Sequence, residues 1–151
     1  QCRPLSRGRV TLRSADPTAR PRIESNYLTE PEDLRVLVAG LRILRDIYRQ
    51  PSFRGLVTGE EYLPGDALRS DDDLERFARA KGGTVFHPTS TCRMGGDDRA
   101  VLDPELRVRG VERLRVIDAS VMPRVVSGNT NAPTVMLAEK AVDLIRQDAR
   151  A

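Results

Sequence analysis

The chain has 151 residues, of which 39% are hydrophobic and 31% charged. This composition is typical of one soluble globular domain and excludes an intrinsically disordered chain. The net charge is +3, from 25 basic and 22 acidic residues, and the two signs alternate along the sequence. With 4% aromatic residues and no tryptophan, the sequence disfavours a nucleic-acid partner, because it lacks both a basic face and a stacking surface.

Neither a membrane segment nor a secretory signal is evident. No apolar run approaches the ~20 residues that a membrane helix needs, and the amino-terminal residues do not resemble a signal peptide. We therefore expect a cytoplasmic protein, in which Cys2 and Cys92 are free thiols. Because the chain begins at Gln1, we interpret it as processed or as the carboxy-terminal part of something longer. Its oligomeric state stays open.

The first elements are expected to be two short strands followed by a long helix. Residues 5–14 alternate apolar and polar side chains and predict a half-buried strand, and residues 21–25 predict a second. Thr29 and Glu32 match a capping box, with Pro31 in the first helical turn. The predicted buried face carries Leu34, Leu37, Val38, Leu41, Leu44, Ile47 and Tyr48. The predicted solvent face carries Arg35, Arg42, Arg45 and Arg49. Pro51 should end this helix.

A second helix is expected after a long connection over residues 52–69. Ser70 should cap it, and Asp71, Asp72 and Asp73 would complement the positive end of its dipole. Three consecutive aspartates also suggest a metal site, but consecutive residues of a helix point in different directions. Capping is the better explanation. The glycine pair after Lys81 should end the helix.

The remaining third of the chain is expected to be extended and then helical. Residues 101–120 predict extended segments broken at Gly110, and residues 114–118 predict a buried strand that ends at Asp118. Asn131 should cap a last helix, with Pro133 in its first turn. The predicted buried side of that helix carries Met136, Leu137, Ala141, Leu144 and Ile145.

One nine-residue stretch, 87–95 (HPTSTCRMG), contains the only histidine of the protein. His87, Cys92 and Met94 are ligand types of a blue-copper site, but such a site needs a second histidine. We therefore interpret Cys92 and Met94 as packing residues. A serine nucleophile is disfavoured because no Gly-x-Ser-x-Gly elbow is present. An imidazole in an irregular loop is instead a candidate for proton transfer near neutral pH.

A second polar cluster, 127–131 (SGNTN), opens the last helix. Unpaired N–H groups and the helix dipole favour negative charge at such a position. A flavin that has accepted hydride would be stabilised there, and a neighbouring asparagine could bind a substrate oxygen. An ordinary helix cap with spare polar residues explains the same pattern, and the residues alone leave both interpretations open.

Three stretches together resemble the carboxy-terminal region of the glucose-methanol-choline (GMC) oxidoreductases. They are 87–95 (HPTSTCRMG), 114–123 (LRVIDASVMP) and 127–141 (SGNTNAPTVMLAEKA). Residues 6–14 and 26–28 fit the same region, so the resemblance covers essentially the whole chain. Within the family, the chain looks most like the choline dehydrogenase-like alcohol dehydrogenases.

The resemblance implies an FAD enzyme that oxidises a primary alcohol such as choline. A family histidine at the position of His87 takes the hydroxyl proton while hydride leaves to the flavin, and Asn129, as the hydrogen-bonding partner of His87, would orient the alcohol oxygen. The resemblance further implies cofactor contacts at Asp118, Ala119, Asn129, Thr130 and Asn131. No metal is implied.

The resemblance also implies the fold class and the domain organisation. We expect an α+β substrate-binding domain over residues 1–151, with a small, mostly antiparallel sheet and packed helices. Residues 114–148 would complete the FAD-binding domain. The Gly-x-Gly-x-x-Gly of a Rossmann unit is not in these residues, so we expect a missing amino-terminal FAD domain and an inactive fragment. A non-catalytic binding or assembly module is the alternative, and the alcohol, the electron acceptor and the choice between oxidase and dehydrogenase stay open.

Overall fold

The computed structural model describes residues 1–150 and has the α+β class that the sequence predicts. Within these residues, the helices are α1 (Pro31–Tyr48), α2 (Asp71–Lys81) and α3 (Asn131–Asp148). Strands β1 (Arg9–Thr11) and β2 (Arg22–Glu24) form a two-stranded antiparallel sheet. Short 3₁₀ turns lie at Pro51–Phe53 and Ala119–Val121. The expected small sheet with packed helices is thereby confirmed.

The chain forms two compact units. The first contains Gln1, Arg3–Gly8 and Ile23–Thr84, and the second contains Cys2, Arg9–Arg22 and the chain from Val85 onward. In the first unit α1 packs against α2. Its buried apolar side chains are Leu34, Val38, Leu74 and Ala78. Burial of these side chains is the main stabilisation that this helix pair has.

Strand β1 is shorter and more exposed than the alternation over residues 5–14 predicts. It spans only Arg9–Thr11, and Leu12 beside it is 88% exposed, so the half-buried pattern was wrong. The strand does not extend to Leu5 and Ser6, because their backbone N–H groups donate to the carboxylate of Asp33 at 2.7 and 2.8 Å. A backbone that satisfies its donors in this way does not need a ladder partner.

Helix α1 begins later than expected and without the predicted capping box. Its N-cap is Glu30, which makes no side-chain cap bond, whereas the Thr29 hydroxyl donates to the carbonyl of Asn26 at 3.1 Å. Glu32 pairs instead with Arg35 one turn later. The capping-box prediction was wrong because the threonine hydroxyl and the glutamate carboxylate each bond a different local partner.

The buried face of α1 is also narrower than predicted. Leu34 and Val38 are buried, but Leu44, Ile47 and Tyr48 are 51%, 42% and 56% exposed. Arg45, which we expected in solvent, is largely buried, because its guanidinium bonds the carboxylate of Glu61 at 2.9 Å. Local periodicity identified the helix correctly, but it did not identify which part of the stripe has a neighbour to pack against.

Helix α2 begins as the sequence predicts. The Ser70 hydroxyl accepts from the Asp73 N–H, and the Asp73 carboxylate accepts from the Ser70 N–H, which completes a capping box. Gly82 ends the helix with its N–H bonded to the carbonyl of Ala78 at 2.8 Å. The capping interpretation of the aspartates is confirmed for Asp73, while Asp71 pairs with Arg42.

Removing the Ser70 cap should weaken the first unit. Ser70→Ala is expected to lower the free energy of unfolding by about 1 kcal/mol, because the Asp73 N–H loses its acceptor. Urea denaturation followed by circular dichroism measures this change. Ser52→Ala, outside any α-helix, is the control; equal stability of the two variants would contradict the capping role.

The second unit is built mainly from turns around a small core. Leu102, Leu106, Val121 and Ala141 are its fully buried side chains. In the described chain, residues 101–120 make isolated bridges, such as Leu102 with Val108 and Arg107 with Arg115, and no regular strand. The predicted buried strand over 114–118 was therefore wrong. Each bridge joins only one pair of residues, so no continuous ladder forms. Leu114 is also 47% exposed.

Helix α3 begins at the expected place with a different cap. Thr130 is the N-cap and Asn131 the first helical residue, with Pro133 in the first turn as predicted. Ala141 is fully buried, but Met136 and Ile145 are 57% and 42% exposed, so the predicted buried side is only partly correct. None of the helices of residues 1–150 is long and apolar enough to cross a bilayer.

Candidate functional site

The imidazole of His87 contacts the start of α3. Its Nδ1 lies 2.9 Å from the hydroxyl oxygen of Thr130, a residue 43 positions further along the chain. Thr130 is 8% exposed and His87 is half-buried. The two polar clusters that the sequence singled out therefore meet, and a direct hydrogen bond joins them.

The backbone on both sides of His87 is held in an uncommon conformation. Phe86 and Ser90 have φ values of 60° and 74°. Residues other than glycine rarely adopt this left-handed backbone conformation, and each one that does costs roughly 1–3 kcal/mol. Strain of this kind is often found where a loop must aim a functional group. Here it brackets the only histidine of the chain.

Backbone hydrogen bonds fix the rest of the 87–95 stretch against the 118–121 turn. The N–H of Cys92 donates to the carbonyl of Ser120 at 3.1 Å, and that of Met94 donates to the carbonyl of Val121 at 2.9 Å. The Cys92 and Met94 side chains pack against the core of the second unit. Their interpretation as packing residues is confirmed, both cysteines are free, and residues 1–150 hold no cluster of potential metal ligands.

A charged pair closes the end of the same stretch. The Arg93 guanidinium donates to the Asp97 carboxylate at 2.6 Å, and the Arg99 N–H donates to it at 2.9 Å. The bond from Arg93, aided by that from Arg99, lowers the pKa of Asp97 to about 2. Arg109 also donates to the carbonyl of Gly95 at 2.7 Å. These hydrogen bonds hold the turn after Met94 in one conformation.

Asp118 and Ala119 lie next to the His87 stretch, because the following residues Ser120 and Val121 accept backbone hydrogen bonds from that stretch. The Asp118 carboxylate accepts from the Ser120 N–H at 2.8 Å and from its hydroxyl, which starts the 3₁₀ turn at Ala119. One carboxylate oxygen thus has local partners, while the residue itself is exposed. A cofactor contact by Asp118 or Ala119 stays a prediction.

The start of α3 presents donors that could hold a cofactor. Thr130 makes no side-chain cap bond to the helix, and Pro133 has no N–H, so the N–H groups of Asn131 and Ala132 lack a helical partner. Asn129 and Asn131 are exposed beside them. With the dipole of an 18-residue helix behind them, these donors suit an electron-rich ring edge or an anion. The chemistry of this end of α3 therefore fits a flavin.

The predicted site residues differ in how far the structure brings them together. Thr130 is the hydrogen-bond partner of His87, whereas the exposed side chain of Asn129 makes no hydrogen bond in residues 1–150. Its role toward a substrate oxygen stays a prediction. Sequence reasoning assigned Thr130 only to the cofactor and missed its contact with His87. The available signal was a hydroxyl residue directly before the helix.

A cavity in the second unit lies away from His87. It has a volume of about 670 Å³ and is open to solvent. Arg107 and Arg115 in its wall both bond the carboxylate of Asp148 at the end of α3, so these three charged groups have partners. Because neither His87 nor the start of α3 lines it, we locate the chemistry by the hydrogen bond and not by cavity size.

Known proteins are similar in sequence to this chain over most of its length. The family model described as GMC oxidoreductase matches residues 4–138. An alcohol dehydrogenase [acceptor] of Pseudomonas putida is 48% identical over 142 residues, which is 94% of this chain and 26% of that protein. An oxygen-dependent choline dehydrogenase of Paraburkholderia phytofirmans is 52% identical over 140 residues, 93% of this chain and 25% of that protein. The chain spans about a quarter of these relatives.

Solved structures agree with the sequence comparison. An FAD-dependent oxidoreductase from Chaetomium thermophilum superposes with a TM-score of 0.92 at 33% identity, over 99% of this chain and 26% of that protein. Pyridoxine 4-oxidase from Mesorbium loti superposes with a TM-score of 0.88 at 31% identity, over 99% and 28%. With the family match over residues 4–138, the conclusion is that this chain belongs to the GMC oxidoreductases and corresponds to their carboxy-terminal part.

Proposed function

We propose that this chain is the carboxy-terminal part of an FAD-dependent oxidoreductase that oxidises the CH–OH group of a primary alcohol such as choline. The hydrogen bond between His87 and Thr130 carries the proposal, because it sets a proton acceptor beside a helix start suited to a flavin. The names of the relatives, a choline dehydrogenase and an alcohol dehydrogenase, support the substrate class.

His87 is the general base of this proposal. With Nδ1 engaged by Thr130, its Nε2 takes the proton of the alcohol hydroxyl. Bound FAD would supply the acceptor for the hydride that leaves the alcohol carbon. Loss of one proton and one hydride turns the alcohol into an aldehyde. The exposed Asn129 orients the alcohol oxygen through its amide N–H.

The cofactor contacts of the proposal come from two neighbouring segments. Thr130 and Asn131 contact the cofactor from the start of α3. Asp118 and Ala119 contact it from the 3₁₀ turn beside the His87 stretch. We assign residues 114–148, which contain both segments, to the completion of the FAD-binding domain, and the chain as a whole to a GMC carboxy-terminal domain. An amino-terminal dinucleotide domain is the partner that this assignment requires. We refer to the assembled protein as the full-length flavoprotein.

An alcohol panel tests the proposed function. The purified full-length flavoprotein is mixed with choline and other primary alcohols, with and without oxygen, while the absorbance of oxidised flavin is followed. We expect bleaching by at least one alcohol, and reoxidation by oxygen would distinguish an oxidase from a dehydrogenase. A protein that binds no flavin, or whose flavin no alcohol bleaches, would favour the non-catalytic binding or assembly module.

Replacing Asn129 should affect the reaction without affecting the fold. Asn129→Ala is expected to slow flavin reduction about 10-fold, since one hydrogen bond to the alcohol oxygen is lost and such a bond is worth roughly 1 kcal/mol or more. The exposed position of Asn129 predicts an unchanged melting temperature. Stopped-flow absorbance measures the rate, and Ser127→Ala nearby is the comparison. Unchanged reduction kinetics would count against the role of Asn129.

A further inference from the structure

We propose that Thr130 is a positioning residue that sets the tautomer of His87. Its hydroxyl oxygen accepts a hydrogen bond from Nδ1–H, which leaves Nε2 unprotonated and ready to take the proton of the alcohol. This inference rests on the proposed function of His87 as the base. It gives Thr130 a task toward the imidazole that differs from a cofactor contact.

The geometry of Thr130 leaves its hydroxyl available to the imidazole. Although Thr130 is the N-cap of α3, its side chain makes no cap bond to the helix. Its carbonyl accepts from the N–H of Thr134 at 3.0 Å and from the Thr134 hydroxyl at 2.6 Å, which fixes the backbone at this point. Because Thr130 is only 8% exposed, water has little access to its Oγ1 and does not compete with the imidazole.

The donor and the acceptor of this hydrogen bond follow from the role of the imidazole as a base. A neutral imidazole carries its proton on one nitrogen, and the partner of the other nitrogen decides which. The atom that Thr130 contacts is Nδ1. For Nε2 to accept a proton, Nδ1 must be the protonated nitrogen, and the threonine oxygen must be the acceptor.

A hydroxyl acceptor also suits both charge states of the ring. Once His87 has taken the proton, both of its nitrogens are donors. The bond from Nδ1–H to Thr130 then persists without a rotation of the hydroxyl, whereas the opposite tautomer would have to break it. A group that needs no reorganisation during proton transfer contributes more to catalysis than one that must turn. The left-handed backbone at Phe86 and Ser90 holds the loop that presents the ring.

Nitrogen-15 NMR of the full 151-residue chain tests the tautomer directly, because its single histidine makes the assignment unambiguous. Long-range proton–nitrogen correlations tell which ring nitrogen carries the proton. We expect the proton on Nδ1 in the wild type and in Thr130→Ser, which keeps the hydroxyl. Thr130→Val keeps the shape and removes the acceptor, so the proton should move toward Nε2. A wild-type ring protonated on Nε2, or a tautomer unchanged in Thr130→Val, would overturn the proposal.

Kinetics of the full-length flavoprotein separate this inference from the function on which it rests. Thr130→Val should slow flavin reduction about 10–100-fold, by analogy with the loss of a group that orients a metal-bound histidine, with little change in KM. Thr130→Ser should restore most of the rate. If His87→Ala slows turnover at least about 100-fold but Thr130→Val does not slow reduction, the positioning role fails and the base stands. If His87→Ala has no effect, the proposed function itself fails.

Discussion

The His87→Ala full-length flavoprotein is expected to turn over its alcohol about 10²–10⁴-fold more slowly than the wild type, the range that a positioned general base contributes. The physical reason is that the hydroxyl proton loses its acceptor, so hydride must leave a neutral alcohol and not an alkoxide. Steady-state kcat with a primary alcohol and an artificial electron acceptor measures the effect.

Flavin content is the control for this prediction. His87 is half-buried and bonds the Thr130 hydroxyl, outside the apolar core of the second unit, so the variant should bind FAD and melt at a temperature close to that of the wild type. Pro88→Ala, at an exposed neighbouring position, should retain nearly full turnover. A His87→Ala protein with normal FAD content and near-normal kcat would remove the base assignment.

Asp33→Asn is expected to lower the free energy of unfolding of the first unit by about 2 kcal/mol. The Asp33 side chain is 1% exposed, and its carboxylate accepts from the N–H groups of Leu5 and Ser6, from the Ser6 hydroxyl and from the Gln1 amide. An asparagine offers one acceptor and turns its NH₂ toward groups that also donate. Buried donors left without an acceptor cost roughly 1–3 kcal/mol.

The same carboxylate should make stability depend on acid pH. Burial raises the pKa of Asp33, but the bonds from Ser6, Leu5 and Gln1 outweigh it and bring the pKa from 3.8 down to about 2. Because the folded-state pKa is lowered, its stabilisation is complete above pH 3.8 and disappears as the pH falls toward about 2. Urea denaturation at a series of pH values should show the Asp33→Asn deficit shrinking over this window.

Asp46→Asn is the matched control on the same helix. Asp46 is 73% exposed and lies 3.7 Å from Arg49, a pair worth at most about 0.5 kcal/mol. Its replacement should leave both the stability and its acid dependence nearly unchanged. An Asp33→Asn protein that behaves like Asp46→Asn would mean that the carboxylate does not hold residues 1–6 to α1.

Local signals were sufficient for the helices. The Ser70 cap, the glycines after Lys81 and Pro133 in the first turn of α3 each act over four residues or fewer, so a sequence pattern contains everything that they need. The Thr29 and Glu32 pattern met the same local rule and was wrong, because Thr29 bonds Asn26 and Glu32 bonds Arg35 at the same sequence separation. A capping motif predicts a bond only where no competitor lies nearby.

Non-local partners could not be predicted in the same way. Arg45 bonds Glu61 across the irregular 52–69 connection, and nothing in the periodicity of α1 indicates that pairing. Asp33 belongs to the same class, because its donors lie at the amino terminus. The most informative case is Thr130, whose contact with His87 joins positions 43 residues apart. The two clusters were visible in the sequence, and the atom that links them was not.

The rate constant of anaerobic flavin reduction in a single turnover is the measurement that decides whether His87 is the base, because it reports the step in which the proton and the hydride leave the alcohol. The full-length flavoprotein and its His87→Ala variant, with equal FAD content, are mixed with a saturating primary alcohol without oxygen. We expect rapid bleaching of the wild-type flavin and a rate constant at least about 100-fold lower in the variant. Equal rate constants for the two proteins would mean that His87 is not the base.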